Sequence, residues 1–187
     1  GIMGTAETVV REAHQPAIRA YGEMIVDTAR RAGDLTGRLL TFSRQTPVVV
    51  QTQDLHAVIA EVCAILERSI DKNITLVTDL GADRPRVKAD GALIQSAILN
   101  LGLNARDAMP DGGVLTIRTA LVRAAGAAAD QVEVTVSDTG AGVSPELRDQ
   151  VFKPFVTTKE PGKGTGLGLS SAAATIRDHG GTMALDS

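Results

Sequence analysis

From Ile18 onward, apolar or small side chains fall at Ile18, Tyr21, Ile25, Thr28, Ala32, Leu35, Leu39 and Phe42, in steps that alternate between three and four residues. That rhythm is a heptad seam kept over more than three heptads, the pattern of a helix packed in a bundle. Arg30, Arg31, Asp34 and Arg38 lie off the seam, and Pro47 follows its last repeat. Proline removes a backbone donor and clashes with the preceding turn, so the helix is expected to end there. Residues 5–13 predict a shorter helical piece, with His14-Gln15-Pro16 as the turn between the two. Residues 1–46 thus read as a helical hairpin with one arm cut short.

A different pattern follows. Val48-Val49-Val50 suits a strand or a linker, and Asp54 is placed to cap a helix over residues 55–69 by accepting from its free N–H groups. Residues 74–80 alternate as a half-buried strand. Asp90 caps a second long helix reaching Met109, with Leu93, Ala97, Leu101, Ala105 and Ala108 as its apolar stripe. Pro110-Asp111-Gly112-Gly113 forms a turn, residues 114–122 and 132–137 form strands, and the small-residue tract 124–129 joins them as a hairpin loop. A last helix over 167–179 is closed by Gly180-Gly181, and residues 182–185 begin another strand. This order predicts an α+β fold: a two-layer sandwich with helices on one face of a mixed sheet. It spans residues 47–187, after the hairpin of residues 1–46.

Composition narrows the picture. Hydrophobic residues make up 43% of the 187 positions but aromatics only 2%, with no Trp. The core is therefore built from Leu, Ile, Val and Ala. A net charge of -3 gives no reason to expect a nucleic-acid partner. Cys63 is the only cysteine and sits among apolar neighbours, so no internal disulfide forms; it reads as a small buried hydrophobe in a reducing, cytoplasmic setting. No apolar run approaches the ~20 residues that span a bilayer, although a longer parent chain can be membrane-anchored elsewhere.

Three segments carry chemistry. Asn100 and Asn104 stand four apart on one face of the second long helix, with Asp107 a turn further on. Asparagine is a poor helix former, so the pair is either simply exposed or a polar floor, whose amide oxygens suit Mg²⁺ and the phosphates it carries. Asp138-Thr139-Gly140-Ala141-Gly142-Val143 follows directly on a strand. It is either an ordinary turn or a place where glycine lets backbone approach a flat ligand, with the carboxylate accepting from an exocyclic amino group. In Gly162-Lys163-Gly164-Thr165-Gly166-Leu167-Gly168-Leu169-Ser170, glycine alternates through Gly168 into a helix start. Such loops offer N–H groups to phosphate, where a mere flexible linker would not space Leu167 and Leu169 so regularly. The Walker spacing is not met. Between these last two segments, Phe152 and Phe155 could be core residues, and Lys159 is either solvated or within reach of a phosphate.

Taken together the segments resemble the nucleotide-binding domain of two-component sensor histidine kinases. The family's N box matches residues 100–109, its G1 box 138–143, its F box 152–155 and its G2 box 164–169. Asn-Ala-Arg-Asp-Ala-Met and Thr-Thr-Lys are similar to the subgroup whose acceptor box reads His-Asp-Phe-Asn-Asn, and residues 29–43 are similar to its second bundle helix. The resemblance implies a Bergerat-type ATP fold preceded by a partial hairpin, and transfer of the ATP γ-phosphoryl group to a histidine. By it, Asn104 coordinates Mg²⁺, and Asn100 and Asp107 organise the phosphate end. Asp138 bonds adenine, and Gly140, Gly142 and Val143 line the base pocket. A lid from about Phe155 to Thr165, including Lys159 and Gly164, covers the phosphates, with Gly166, Leu167, Gly168 and Leu169 completing the site.

The chain departs from that pattern in two ways. His14-Gln15-Pro16 is not the acceptor box and lies where the family has its turn, so the acceptor histidine is expected to be missing from this chain. The family's last strand is likewise expected beyond Ser187. His56 and His179 read as ordinary helix residues. Expected partners are a response regulator and a second copy joined through the seam at Ile18–Phe42. The rivals are an ATPase of the same fold, disfavoured because Asn100 stands where those enzymes carry a glutamate base, and a non-catalytic dimerisation and phosphotransfer module whose nucleotide site has decayed, disfavoured because every glycine-rich segment is intact.

Overall fold

Leu115, Ile117 and Thr119 alternate along one strand, all wholly buried, and the larger part of the molecule is built around them. The structure, a computed structural model, describes residues 2–12, 17–26, 28, 49–123, 130–159 and 164–187. The chain divides into two compact units, Gly1–Thr46 and Pro47–Ser187.

In the first unit, α1 (Ile2–Glu12) is followed by α2, helical over residues 17–26. The two touch at Gly22, where a Cβ would stand 2.7 Å from Val10 Cγ2. Ile18, Tyr21 and Ile25 of the expected seam are exposed, as is Met24. His14 and the later seam positions Ala32, Leu35, Leu39 and Phe42 lie outside the described residues.

The second unit has two sheets. β1 (Gln51–Asp54) pairs antiparallel with β3 (Arg86–Ala89). In the larger sheet β4 (Gly113–Val122) is central, parallel to β2 (Ile74–Leu80) and antiparallel to β5 (Gln131–Asp138). α3 (Leu55–Ser69) and α4 (Gly91–Asp107) cover its inner face. Both begin as the sequence predicts: Asp54 accepts from the N–H groups of His56 and Ala57, and Asp90 from those of Ala92 and Leu93. α3 buries Leu55, Val58, Ile59, Val62 and Leu66, one helical stripe. Gly102 of α4 lies against Leu66, a Cβ there falling 2.7 Å from Leu66 Cδ1, so a missing side chain sets how closely the helices approach. The short α5 (Pro145–Arg148) and α6 (Gly168–Asp178) complete the unit. The two-layer α+β architecture is the one expected.

Several local expectations need correction. Of the strand and linker alternatives for the valine run, Val49 and Val50 take the second: they are exposed ahead of the ladder, which begins at Gln51. β3, Arg-Val-Lys-Ala, alternates over only four residues, a run too short to announce a strand, and is held by its pairing with β1. The buried stripe of α4 is Ile94, Ala97, Ile98, Gly102 and Ala105, with Leu93, Leu101 and Ala108 only partly covered. α4 packs against α3, α6 and the sheet at once, so its apolar sector is broad and centred elsewhere. Residues 182–185 form no strand, because no ladder bonds join them to β5. Cys63 is partly rather than wholly buried, and that burial, helped by Glu67, pushes its thiol pKa up. Residues 124–129 lie outside the described residues. Among the described residues no helix is long and apolar enough to cross a membrane.

Candidate active site

The last two turns of α4 gather the chemistry. Asn100 and Asn104 are half-buried, and the start of α6 lies directly on them. A Cβ on Gly168 would stand 3.5 Å from Asn104 Nδ2 and 3.9 Å from Asn100 Cβ and Cγ. α6 has no side-chain cap. Its opening N–H groups, unlike those of α3 and α4, are not taken by an aspartate, which leaves donors and the positive end of a helix dipole beside two carboxamides. Buried Leu167 anchors this start, and Ser170 Oγ donates to its carbonyl (3.0 Å).

Gly166 enters this turn at φ 64°, and its carbonyl accepts from Phe155 N–H at 2.9 Å. A Cβ on Gly166 would collide with the Phe155 carbonyl carbon. Phe155 is itself at φ 68° and 70% exposed, so it is not a core residue; its backbone, not its ring, makes the contact. Gly164 packs on Thr157 and Lys159, where a Cβ would meet Thr157 Oγ1 at 2.5 Å. The two segments therefore touch at two points on either side of residues 160–163, which lie outside the described residues.

Asp107 closes this end. Lys159 Nζ is 2.5 Å from its Oδ2, while Arg106 Nη2 and Nε donate to Oδ1 at 2.6 and 2.8 Å. Arg106 is held in turn by Ser69 O (3.2 Å). Burial alone would raise the Asp107 pKa, but the hydrogen bonds and charges of Lys159 and Arg106 outweigh it and hold the carboxyl below its ordinary value.

Asp138 sits at the end of β5, its Oδ1 accepting from Gly140 N–H at 2.9 Å. Gly140 rests on the C-terminal end of α4: Ala141 N–H donates to Ala108 O (3.2 Å), and a Cβ on Gly140 would lie 2.5 Å from that oxygen. Thr139 Oγ1 accepts from Val114 N–H (3.0 Å) and lies 3.8 Å from Met109 Sδ, stitching the loop to β4. Gly142 follows at φ 69°, and Val143 N–H donates to Ser187 Oγ at 2.7 Å.

Asn100, Asn104, Asp107, Lys159, Phe155, Gly164, Gly166, Leu167 and Gly168 are thus brought into one connected patch, with Thr165 in the same turn and Leu169 in the first turn of α6. Asp138 and Gly140 join through Ala108. Gly142 and Val143 meet Ser187 rather than that patch. Sequence reasoning missed Arg106, Thr139 and the Ala108 carbonyl. Arg106 adjoins Asp107 and could have been read as its counter-ion; a backbone carbonyl leaves no sequence signal. His56 and His179, expected as ordinary helix residues, each make tertiary hydrogen bonds: His56 Nε2 pairs with Thr119 Oγ1 (2.9 Å), and His179, at the C-cap of α6, bridges Thr175 O and Asp90 N–H. A separate groove of about 550 Å³, lined by Gln51, Gln53, Glu61 and Gln95 among others, lies at the N-terminal ends of α3 and α4, away from the carboxamide pair.

Residues 89–187 match the family described as histidine kinase-, DNA gyrase B-, and HSP90-like ATPase. The chain belongs to this ATPase family. Its ATP-binding domain is of the sensor histidine kinase kind. It is 42% identical over 172 residues to sensor kinase CckA of Brucella abortus, covering 87% of this chain and 18% of that protein. It is 31% identical over 188 residues to the sensory histidine kinase/phosphatase NtrB of Salmonella typhimurium, covering 98% of this chain and 53% of that one. The chain therefore spans about half the length of NtrB and a smaller part of CckA. Among solved structures, histidine kinase ThkA in complex with response regulator protein TrrA superposes with a TM-score of 0.69 at 26% identity, over 96% of this chain and 50% of that one.

Proposed function

We propose that the chain is the ATP-binding catalytic part of a two-component sensor histidine kinase, which transfers the γ-phosphoryl group of ATP to a histidine nitrogen for relay to a response-regulator aspartate. The observation that carries this reading is the seating of the uncapped start of α6 on Asn100 and Asn104. There N–H donors lie beside two carboxamides, and a triphosphate with its metal needs both N–H groups and hard amide oxygens.

The carboxamides of Asn100 and Asn104 beside the uncapped start of α6 are a donor set suited to a phosphate with its metal. Asn104 would hold Mg²⁺, with Asn100 beside it and Asp107 ordering Arg106 and Lys159 at the phosphate end. When bound, Mg²⁺ supplies charge neutralisation on the phosphoryl oxygens. Asp138, steadied by Gly140 N–H, would accept from the adenine amino group, with Gly140, Gly142 and Val143 along the base. Phosphoryl transfer of this kind is mainly positioning and electrostatics, and the chain's own part is to bind, orient and screen.

The acceptor is a neutral imidazole. His56 and His179 are committed to internal hydrogen bonds, which favours an acceptor outside the described residues. The apolar face of Ile18, Tyr21 and Ile25 is exposed in the single chain, which supports pairing with a second copy. A response regulator as the partner is supported by the ThkA–TrrA complex.

Titration calorimetry with Mg-ATP tests the pocket: binding is expected, and Asp138→Asn weakens it. No heat from the parent chain, or equal affinity in the variant, would sink the reading. Labelled ATP with an acceptor-bearing kinase chain separates kinase from hydrolase. Label on the acceptor histidine is expected; brisk phosphate release without label would favour an ATPase.

A further inference from the structure

α6 is tied to α4 at both of its ends. At its start, Gly168 rests on Asn104 and Asn100. At its finish stands His179, whose Nδ1 is 2.7 Å from Thr175 O and whose Nε2 is 3.0 Å from Asp90 N. A carbonyl can only accept and a backbone amide can only donate. The ring is therefore neutral, with its hydrogen on Nδ1 and a lone pair on Nε2 that takes the Asp90 amide. That amide belongs to the residue whose carboxylate caps α4 and also accepts from Val49 N–H (3.1 Å).

Between these ends α6 buries Ser170 and Ala172, and Ile176 packs partly buried against the core. Packed helices can still slide by small amounts along their shared face. A directional bond at the far end of α6 adds an axial constraint to that packing. Eleven residues at a rise of 1.5 Å place His179 about 16 Å from the start of the helix.

We infer that His179 is a positioning residue of the nucleotide site: by accepting the Asp90 amide it sets the register of α6 on α4, and so the height of Gly168 above Asn104. The inference rests on the nucleotide reading given above.

Asparagine and glutamine divide the ring's two roles. In His179→Asn the short carboxamide can donate to Thr175 O as Nδ1 does but cannot reach the Asp90 amide. In His179→Gln the longer side chain carries its Oε1 about as far as Nε2. In the full chain, His179→Asn is expected to bind Mg-ATP about tenfold more weakly and to shift the Gly168 amide resonance before nucleotide is added. His179→Gln is expected to restore both. Parent-like affinity and shift in His179→Asn would overturn the inference and leave the nucleotide reading standing. Equal losses in both variants would overturn it too, since the ring's bulk rather than its acceptor would then matter, as would failure of His179→Asn to fold. A parent chain that binds no Mg-ATP would remove both readings together.

Discussion

Lys159 Nζ and Asp107 Oδ2 stand 2.5 Å apart, joining the chain after the Phe155 turn to the end of α4, while Arg106 grips the other carboxylate oxygen. Asp107 has a lowered pKa in the folded chain, and an unfolded aspartate titrates near about 3.9. The pairing therefore adds stability above that value and loses it as pH falls towards the lower folded pKa. Asp107→Asn is expected to flatten the acid limb of a urea-unfolding series taken between neutral and strongly acid pH. At neutral pH its cost should stay within about 1 kcal/mol, because the partners are partly exposed. An unchanged acid limb would show that this carboxylate does not matter to acid stability.

Gly140→Ala puts a methyl group 2.5 Å from Ala108 O and 2.8 Å from Asp138 Oδ1. Neither neighbour can yield without moving the end of α4 or the carboxylate itself. Mg-ATP affinity is expected to fall by at least tenfold, or about 1.4 kcal/mol, with far-UV circular dichroism unchanged. Parent-like calorimetry would mean that the loop's seat on α4 is irrelevant to the ligand.

Thr119→Val leaves the shape of the core intact but strips the partner from two groups, His56 Nε2 and the Ala82 amide, the latter 3.3 Å from the hydroxyl. Unpaired buried polar groups cost about 1–3 kcal/mol. A loss of that size in denaturant unfolding is expected, with nucleotide affinity unaffected. A neutral substitution would imply that water replaces the hydroxyl.

Gly102→Ala sets two effects against each other. Helix propensity favours alanine by about 1 kcal/mol. Overpacking against the wholly buried Leu66 costs about 1–3 kcal/mol. The clash is expected to win, lowering the melting temperature, and Leu66→Val in the same chain should recover part of the loss. A more stable single variant would mean that the α3–α4 contact has room to relax.

Much of this was legible because local chemistry and global packing agree. Asp54 and Asp90 begin their helices where an N-cap should, and β4 alternates because one of its faces is buried. What the sequence hid was set by partners distant along the chain. Arg-Val-Lys-Ala is too short a run to announce β3 and pairs with β1, and that pairing begins at Gln51, which leaves Val49 and Val50 as the linker ahead of it. In the site, Asn100 and Asn104 stood out as amides on an apolar helix. The Ala108 carbonyl and the bond from His179 to Asp90 did not, since a backbone atom carries no residue signature and the two partners of that bond are far apart in sequence.

The parallel pairing of β2 with β4 has its own consequence. Parallel neighbours cannot be joined by a tight turn, so the chain from Gly81 to Gly112 must travel back along the whole sheet before β4 can zip, and α4 is the return leg. Closing so long a circuit carries an entropic barrier that local helix formation does not lower. Once closed, it leaves α4 shackled between two strands of a single ladder. Amide protons in that helix are thus expected to escape to solvent only when the entire unit opens, which makes its carboxamide-bearing stretch among the last to melt.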